Sequence, residues 1–150
     1  MSAFVRRADE GDLPFLKEAE ARLFPASPWG DAALAGHLAA PHTLSLLIFD
    51  GDRPTGYLLA GFSPPEGELY RIAVLPEARR RGYGRALLTE LFREAGKREV
   101  SSFWLEVRES NLAARALYRA AGFSVVSRRE NYYRDPSEAA LVMTAQRPKE

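Results

Sequence analysis

The chain has 150 residues, 27% of them charged and 46% apolar, with a net charge of +1 and no cysteine. That balance leaves room for the core of one globular domain, and it excludes disulfides, thiol nucleophiles and thiolate metal sites. A charge so near neutral gives no field to draw the whole molecule onto nucleic acid or an anionic membrane, so any basic function must be local. Residues 1–12 mix charges without the apolar core of a secretory signal, and no apolar run approaches the ~20 residues that span a bilayer. A soluble cytoplasmic protein is the expectation.

Residues 4–7 read as a short strand. Asp9 to Asp12 then offer N-caps to a helix with apolar positions at Leu13, Leu16, Ala19 and Leu23, which Pro25 ends. Ser27-Pro28-Trp29 makes a turn, and residues 31–40 form an alanine-rich second helix closed by Pro41. The period now changes. Residues 43–49 and 55–62 are β-rich runs joined by Asp50-Gly51-Asp52-Arg53-Pro54, a hairpin signal. After the loop Ser63-Pro64-Pro65-Glu66-Gly67, residues 68–75 make a strand that feeds Arg79-Arg80-Arg81-Gly82-Tyr83-Gly84-Arg85. Residues 86–95 put Leu87, Leu88, Leu91, Phe92 and Ala95 on one helical stripe, with Gly96 as the stop.

A strand follows at 101–107, then a helix at 112–121 capped by Asn111 and closed by Gly122. Strands at 123–129 and 139–144 flank a polar aromatic loop at Asn131-Tyr132-Tyr133. The order β-α-α-β-β-β-α-β-α-β-β has antiparallel hairpins at both ends and parallel crossovers at the two central helices. It predicts one α/β domain over residues 1–150, a mixed twisted sheet of about seven strands with about four helices.

The arginine loop carries the densest chemistry. Pro76 breaks the strand before it, and Gly82 and Gly84 let a ligand approach the backbone at the first turn of the next helix. The first amides of a helix have no partner inside it, and its dipole places partial positive charge there. Arginines beside such a turn make a cradle for a pyrophosphate. Taken alone, consecutive arginines are usually a solvated face. A Walker-type loop would need Lys-Ser or Lys-Thr after the glycines, and a dinucleotide fingerprint would need glycine where Leu87 stands. These residues therefore specify a phosphate-bearing ligand without naming it.

A second constellation follows. In Trp104-Leu105-Glu106-Val107-Arg108 the alternation points Glu106 away from the face of Leu105 and Val107, near the end of a strand. A carboxylate there suits acid–base work, although a salt bridge to an arginine is the commoner arrangement. Asn111 and Tyr118 are two helical turns apart with the small Ala114 between them, a possible ligand wall. For either residue alone, capping or packing is the simpler account. His37 and His42 have no carboxylate or cysteine partners at metal-ligand spacing, so they read as surface or packing residues and no metal is expected. Ser101, Ser102 and Ser110 lack a nucleophile-elbow context, which disfavours an acyl-enzyme.

Together these pieces resemble the GNAT superfamily of N-acetyltransferases, and within it the ribosomal-protein-alanine N-acetyltransferases. The resemblance rests on Ile72-Ala73-Val74, the run from Arg80 to Arg85, Trp104 through Asn111, Ala116-Leu117-Tyr118, Gly122-Phe123 and Arg129-Glu130-Asn131-Tyr132-Tyr133. It is strong over the C-terminal half and looser before it, where Phe24, Pro28 and Trp29 precede a helix. The resemblance implies that Ile72, Ala73 and Val74 hold the pantetheine arm of acetyl-coenzyme A. It implies that Arg80, Arg81, Gly82, Tyr83, Gly84 and Arg85 hold its pyrophosphate and that Asn111 contacts it. Glu106 matches the family's general base and Tyr118 its general acid. Pro64-Pro65-Glu66-Gly67 and Arg71 depart from the more acidic stretch expected before the cofactor strand.

The implied reaction is acetyl transfer to the N-terminal α-amine of a protein, with a small-subunit ribosomal protein as partner, by direct attack in a ternary complex. An α-amine, whose ordinary pKa is about 7.7–8.0, is neutralised at pH 7 more easily than lysine at about 10.4. Other N-termini, lysines or small amines are the alternative acceptors. A coenzyme A-binding module without chemistry is a third reading, against which the presence of both Glu106 and Tyr118 argues.

Overall fold

The computed structural model describes residues 3–134 and 136–148. In chain order the elements are β1 (Ala3–Arg7), α1 (Leu13–Leu23), α2 (Asp31–Ala39), β2 (Thr43–Asp50), β3 (Arg53–Ser63) and β4 (Glu66–Val74). There follow α3 (Tyr83–Lys97), β5 (Ser102–Arg108), α4 (Leu112–Ala120), β6 (Ser124–Tyr133) and β7 (Glu138–Gln146). The strands form one mixed sheet in the order β1-β2-β3-β4-β5-β7-β6, the expected α/β architecture.

The middle strands are apolar on both faces because helices cover both. Leu47, Tyr57 and Leu59 pack with Leu16 and Ala19 of α1 and Leu34 of α2. Their neighbours Leu46, Ile48, Leu58 and Ala60 point the other way, onto Leu87, Leu88 and Leu91 of α3. The predicted cap at Asp9 is present: its side chain accepts from Gly11 N while Asp12 reaches back to Asp9 N. This capping box closes a single 3-10 turn, Glu10–Asp12, which leads into α1.

Three local expectations are corrected. Helix α3 starts at Tyr83 and not at 86, because Gly82 adopts the left-handed φ of 77° that turns the chain straight into the helix. Tyr83, Gly84 and Arg85 are thus helical. The same helix runs through Gly96; its left-handed exit is taken by Glu99 (φ 58°), where the Val100 N–H bonds back to Ala95 O and Val100 drops into the core. Asn131-Tyr132-Tyr133 is the end of β6 and not a loop, bulged between Arg129 and Tyr133 with Asn131 at φ 51°. Both central crossovers are parallel as expected: the one through α3 joins the neighbours β4 and β5, and the one through α4 joins β5 to β6 with β7 returning antiparallel between them.

One departure from regular pairing positions everything that follows. Parallel pairing of β4 with β5 is limited to Glu66, Gly67 and Glu68 against Ser102, Phe103 and Trp104. Beyond it the strands part. Their register explains why: between Leu59 and Ala60 of β3 the partner jumps from Arg71 to Leu69, leaving Tyr70 as a bulged residue that bends β4. From residue 69 to 74, β4 pairs with β3 alone, while Leu105 to Arg108 of β5 pair with β7 alone.

Candidate active site

Ile72, Ala73 and Val74 lie on the parted segment of β4. Their paired edge faces Leu58, Tyr57 and Gly56 of β3, and the opposite edge has no strand to bond. A buried strand edge without a partner is unfavourable unless a ligand or water completes it. Directly beyond, the arginine loop is pinned at two points: Arg79 Nε donates to Val74 O at 3.1 Å, and Arg81 Nη1 pairs with Asp50 Oδ2 of β2 at 2.8 Å. Between and beside them, Arg80 (φ 67°) and Gly82 are both left-handed. The side chains of Arg80 and Arg85 pair with no described residue, and no side chain caps the start of α3. Its first closed bond runs from Ala86 N to Gly82 O, so the preceding amides remain open to an anion. Gly84 packs beneath α4; a Cβ there would stand 2.9 Å from Leu117 Cδ2.

Glu106 sits on β5 beyond the point where the strands part, on the opposite face from Phe103, Leu105 and Val107. Its side chain is 15% exposed. Oε1 accepts from the Tyr132 hydroxyl at 2.8 Å. Oε2 stands 3.0 Å from Arg129 Nη1, close enough for an ion pair but out of line for a hydrogen bond, and it is shielded from solvent. That oxygen is a buried acceptor without a hydrogen bond, as is Asp50 Oδ1 at the arginine loop. Glu68, on the last paired rung, faces the same way; burial and the neighbouring Glu106 charge push its carboxyl above the usual range.

Tyr118 lies on the other face of the sheet, in the core cluster that includes Phe103, Leu105 and Val107. Its ring packs against Phe123 at 5.8 Å, and the residue is nearly buried. The end of α4 fixes it: Phe123 N bonds Tyr118 O, Gly122 N bonds Arg119 O, and Gly122 is left-handed, a Schellman closure built on Tyr118. Burial pushes the Tyr118 hydroxyl up, the neighbouring Tyr133 adds to this, and the Arg71 charge opposes it. Tyr133 is itself pushed up to about 12 by burial and by Glu106. Tyr133 thus feels the Glu106 charge and in turn raises Tyr118. Asn111 caps α4, its Oδ1 accepting from Ala114 N at 3.1 Å, which leaves only its amide donors free for a ligand.

Several contributors escaped the sequence reading. Tyr132 and Arg129 as partners of Glu106 depend on the β6 bulge, which has no local signature. Trp29, His37 and Tyr70 form an aromatic cluster, with centroid separations of 5.4 to 5.8 Å, on the face that carries Glu68 and Glu106. His37 is a packing residue as expected: it is buried, Nε2 lies 3.2 Å from Leu44 O, and burial pushes its pKa down. Among the described residues no group of acidic, histidine or cysteine side chains is arranged to hold a metal.

The model of the acetyltransferase (GNAT) family matches residues 13–123. The chain is 37% identical over 134 residues to the [ribosomal protein bS18]-alanine N-acetyltransferase of Escherichia coli K12, covering 88% of this chain and 89% of that protein. It is 41% identical over 131 residues to the N-alpha-acetyltransferase RimI of Mycobacterium tuberculosis, covering 84% and 81%. The crystal structure of the Escherichia coli ribosomal-protein-S18-alanine N-acetyltransferase superposes with a TM-score of 0.89 at 33% identity, over 99% of this chain and 96% of that one. At that identity and coverage the chain belongs to the GNAT family and is an acetyl-CoA-dependent N-acetyltransferase.

Proposed function

We propose that residues 1–150 form one domain that transfers the acetyl group of acetyl-CoA to the N-terminal α-amine of a protein, the N-terminal alanine of a small-subunit ribosomal protein. The observation that supports this reading is the parting of β4 from β5, with Glu106 on one face of the sheet beyond that point and Tyr118 in the core cluster on the other. The relatives named for alanine acetylation of bS18, similar along most of the chain, support the acceptor. A cytoplasmic location fits that acceptor, and no helix among the described residues is long and apolar enough to cross a membrane.

The residues present suit acetyl-CoA. The bare edge of Ile72, Ala73 and Val74 matches the amide groups of a pantetheine arm. The open amides at Gly82, Tyr83, Gly84 and Arg85, with the unpaired guanidinium groups of Arg80 and Arg85, match a pyrophosphate. Arg81 contributes by shaping the turn, its own charge being held by Asp50. Asn111 offers its amide donors. Bound there, acetyl-CoA supplies the acyl group as an activated thioester.

The chain's own residues supply the proton handling. Glu106 Oε2, shielded and without a hydrogen bond, takes a proton from the incoming ammonium, directly or through one water. Tyr118, kept protonated by burial, donates from its hydroxyl toward the departing sulfur. A backbone N–H on the bare edge near Val74 is the donor for the developing oxyanion.

Mass spectrometry of the ribosomal protein's N-terminus after incubation with acetyl-CoA and this chain tests the acceptor. The expected product carries one acetyl group on the α-amine of alanine; acetylation confined to lysines, polyamines or aminosugars would sink the assignment. The cofactor half has a separate check. Gly84→Val, which drives side-chain atoms into Leu117 and the first turn of α3, is expected to raise KM for acetyl-CoA by about tenfold with kcat little changed. Steady-state kinetics at saturating peptide reads both constants; a fall in kcat alone would move Gly84 out of the cofactor site.

A further inference from the structure

Arg71 stood apart in the sequence, and the reaction described above makes no use of its anchor. The residue follows the bulged Tyr70 on β4, and its guanidinium is engaged in three directions. Nε and Nη2 donate to Glu20 of α1 at 3.1 and 3.0 Å, and Nη2 also donates to Ser27 O at 2.7 Å. The guanidinium plane lies over the Phe24 ring at 3.7 Å. Glu20 is fully buried and accepts from two further donors, the Tyr57 hydroxyl at 2.5 Å and Trp29 N at 2.8 Å. One buried ion pair thus fastens Phe24, Ser27 and Trp29, the whole connection between α1 and α2, against β4.

The consequence reaches the acceptor side. Trp29 meets Tyr70 at 5.8 Å and the buried His37 at 5.4 Å. Glu68 lies two residues before Tyr70 and pairs with Trp104, which shares a face of β5 with Glu106, so the aromatic wall and the two carboxylates stand on one face of the sheet. Connections of this kind ordinarily run exposed and yield to what binds them. This one is held by charge-assisted hydrogen bonds out of water, which are short, directional and costly to break.

We propose that Arg71 is a positioning residue that sets the size limit for the acceptor's first side chain, by holding Trp29 and Tyr70 as a wall that cannot retreat. The proposal rests on the reading of Glu106 as the group that meets the α-amine, since only then does that side chain lie against this wall. Arg71 is suited to the task where lysine is not. Only a planar fork can serve a carboxylate and a backbone carbonyl together while stacking on an aromatic ring.

The test compares kcat/KM for a peptide beginning with alanine and the same peptide beginning with leucine, in the wild-type chain and in three variants. Arg71→Lys keeps a cation near Glu20 but cannot hold Ser27 and Phe24 as well. Its alanine-to-leucine ratio is expected to fall by about tenfold, the scale on which a pocket discriminates by size, with KM for acetyl-CoA unchanged. Trp29→Ala, which removes the wall and leaves the ion pair, is expected to lower the ratio in the same way. Tyr57→Phe takes one partner from Glu20 without touching the connection and is expected to keep it. An unchanged ratio in Trp29→Ala, or in a folded Arg71→Lys, overturns the proposal, as does an equal loss in Tyr57→Phe. Should the wild-type chain acetylate neither peptide, the N-terminal acceptor reading fails and the size limit with it.

Discussion

Tyr118→Phe is expected to lower kcat by about 100-fold while leaving KM for acetyl-CoA within about twofold, the pattern of a group needed in the transition state and not for binding. The substitution removes one oxygen and no packing. The ring keeps its contact with Phe123, and the Schellman closure that fixes position 118 uses only backbone groups. What is lost is a proton donor. Burial holds the phenol above its ordinary range near 10, so Tyr118 stays protonated as pH rises through and beyond that value. The wild-type rate should therefore show no alkaline fall below about pH 10 that belongs to this residue.

The same burial has a cost. Full transfer from so weak an acid to a thiolate of the usual kind, near about 8.5, runs uphill. The Arg71 charge, which acts on the Tyr118 hydroxyl in the opposite sense to burial, offsets part of that. Steady-state kinetics with acetyl-CoA and an N-terminal peptide, together with direct titration of acetyl-CoA binding, separates the two constants. An unaltered kcat would remove Tyr118 from the proton-transfer step.

The arginine turn and the helix start beside it were legible in sequence because their physics is local. Gly82 and Gly84 between arginines, after a strand and before an apolar stripe, announce a helix start with open amides wherever they occur. Even the error at the start of α3 has a local cause, since a left-handed Gly82 begins the helix earlier than the apolar stripe suggests. Alternation alone gave the face of Glu106, while the roles expected of Glu106 and Tyr118 came from the family resemblance. The surroundings of Glu20 and Glu106 were not legible, because every contact that builds them joins distant segments. Glu20 meets Arg71 across 51 positions and Tyr57 across 37, and Tyr132 meets Glu106 across 26. The two bulges that aim these side chains, at Tyr70 and in β6 before Tyr133, are shifts of strand register. Register is settled by the whole sheet and not by any short stretch of sequence.

Glu20 carries the second large effect, on stability. Glu20→Ala is expected to destabilise the fold by about 3–5 kcal/mol, the usual result of removing one partner from a buried ion pair. The loss has identifiable parts. The Arg71 side chain, only 16% exposed, keeps its charge and loses its counter-ion, while the Tyr57 hydroxyl and the Trp29 N–H lose their acceptor. Tyr57 is buried and the other two part-buried, and a polar group that loses its partner there costs more than the same bond contributes when made. For a domain of this size every kcal/mol shifts Tm by roughly 2–4 °C, so thermal unfolding should fall by about 6–20 °C. Glu20→Leu combined with Arg71→Leu is expected to lose much less than the sum of the single changes, because the double variant leaves no buried charge without a partner. A cycle measured by calorimetry decides it. Additive losses would mean that Glu20 and Arg71 stabilise separate regions, and a loss below about 1 kcal/mol for Glu20→Ala would mean that water replaces the carboxylate freely, as at an exposed ion pair.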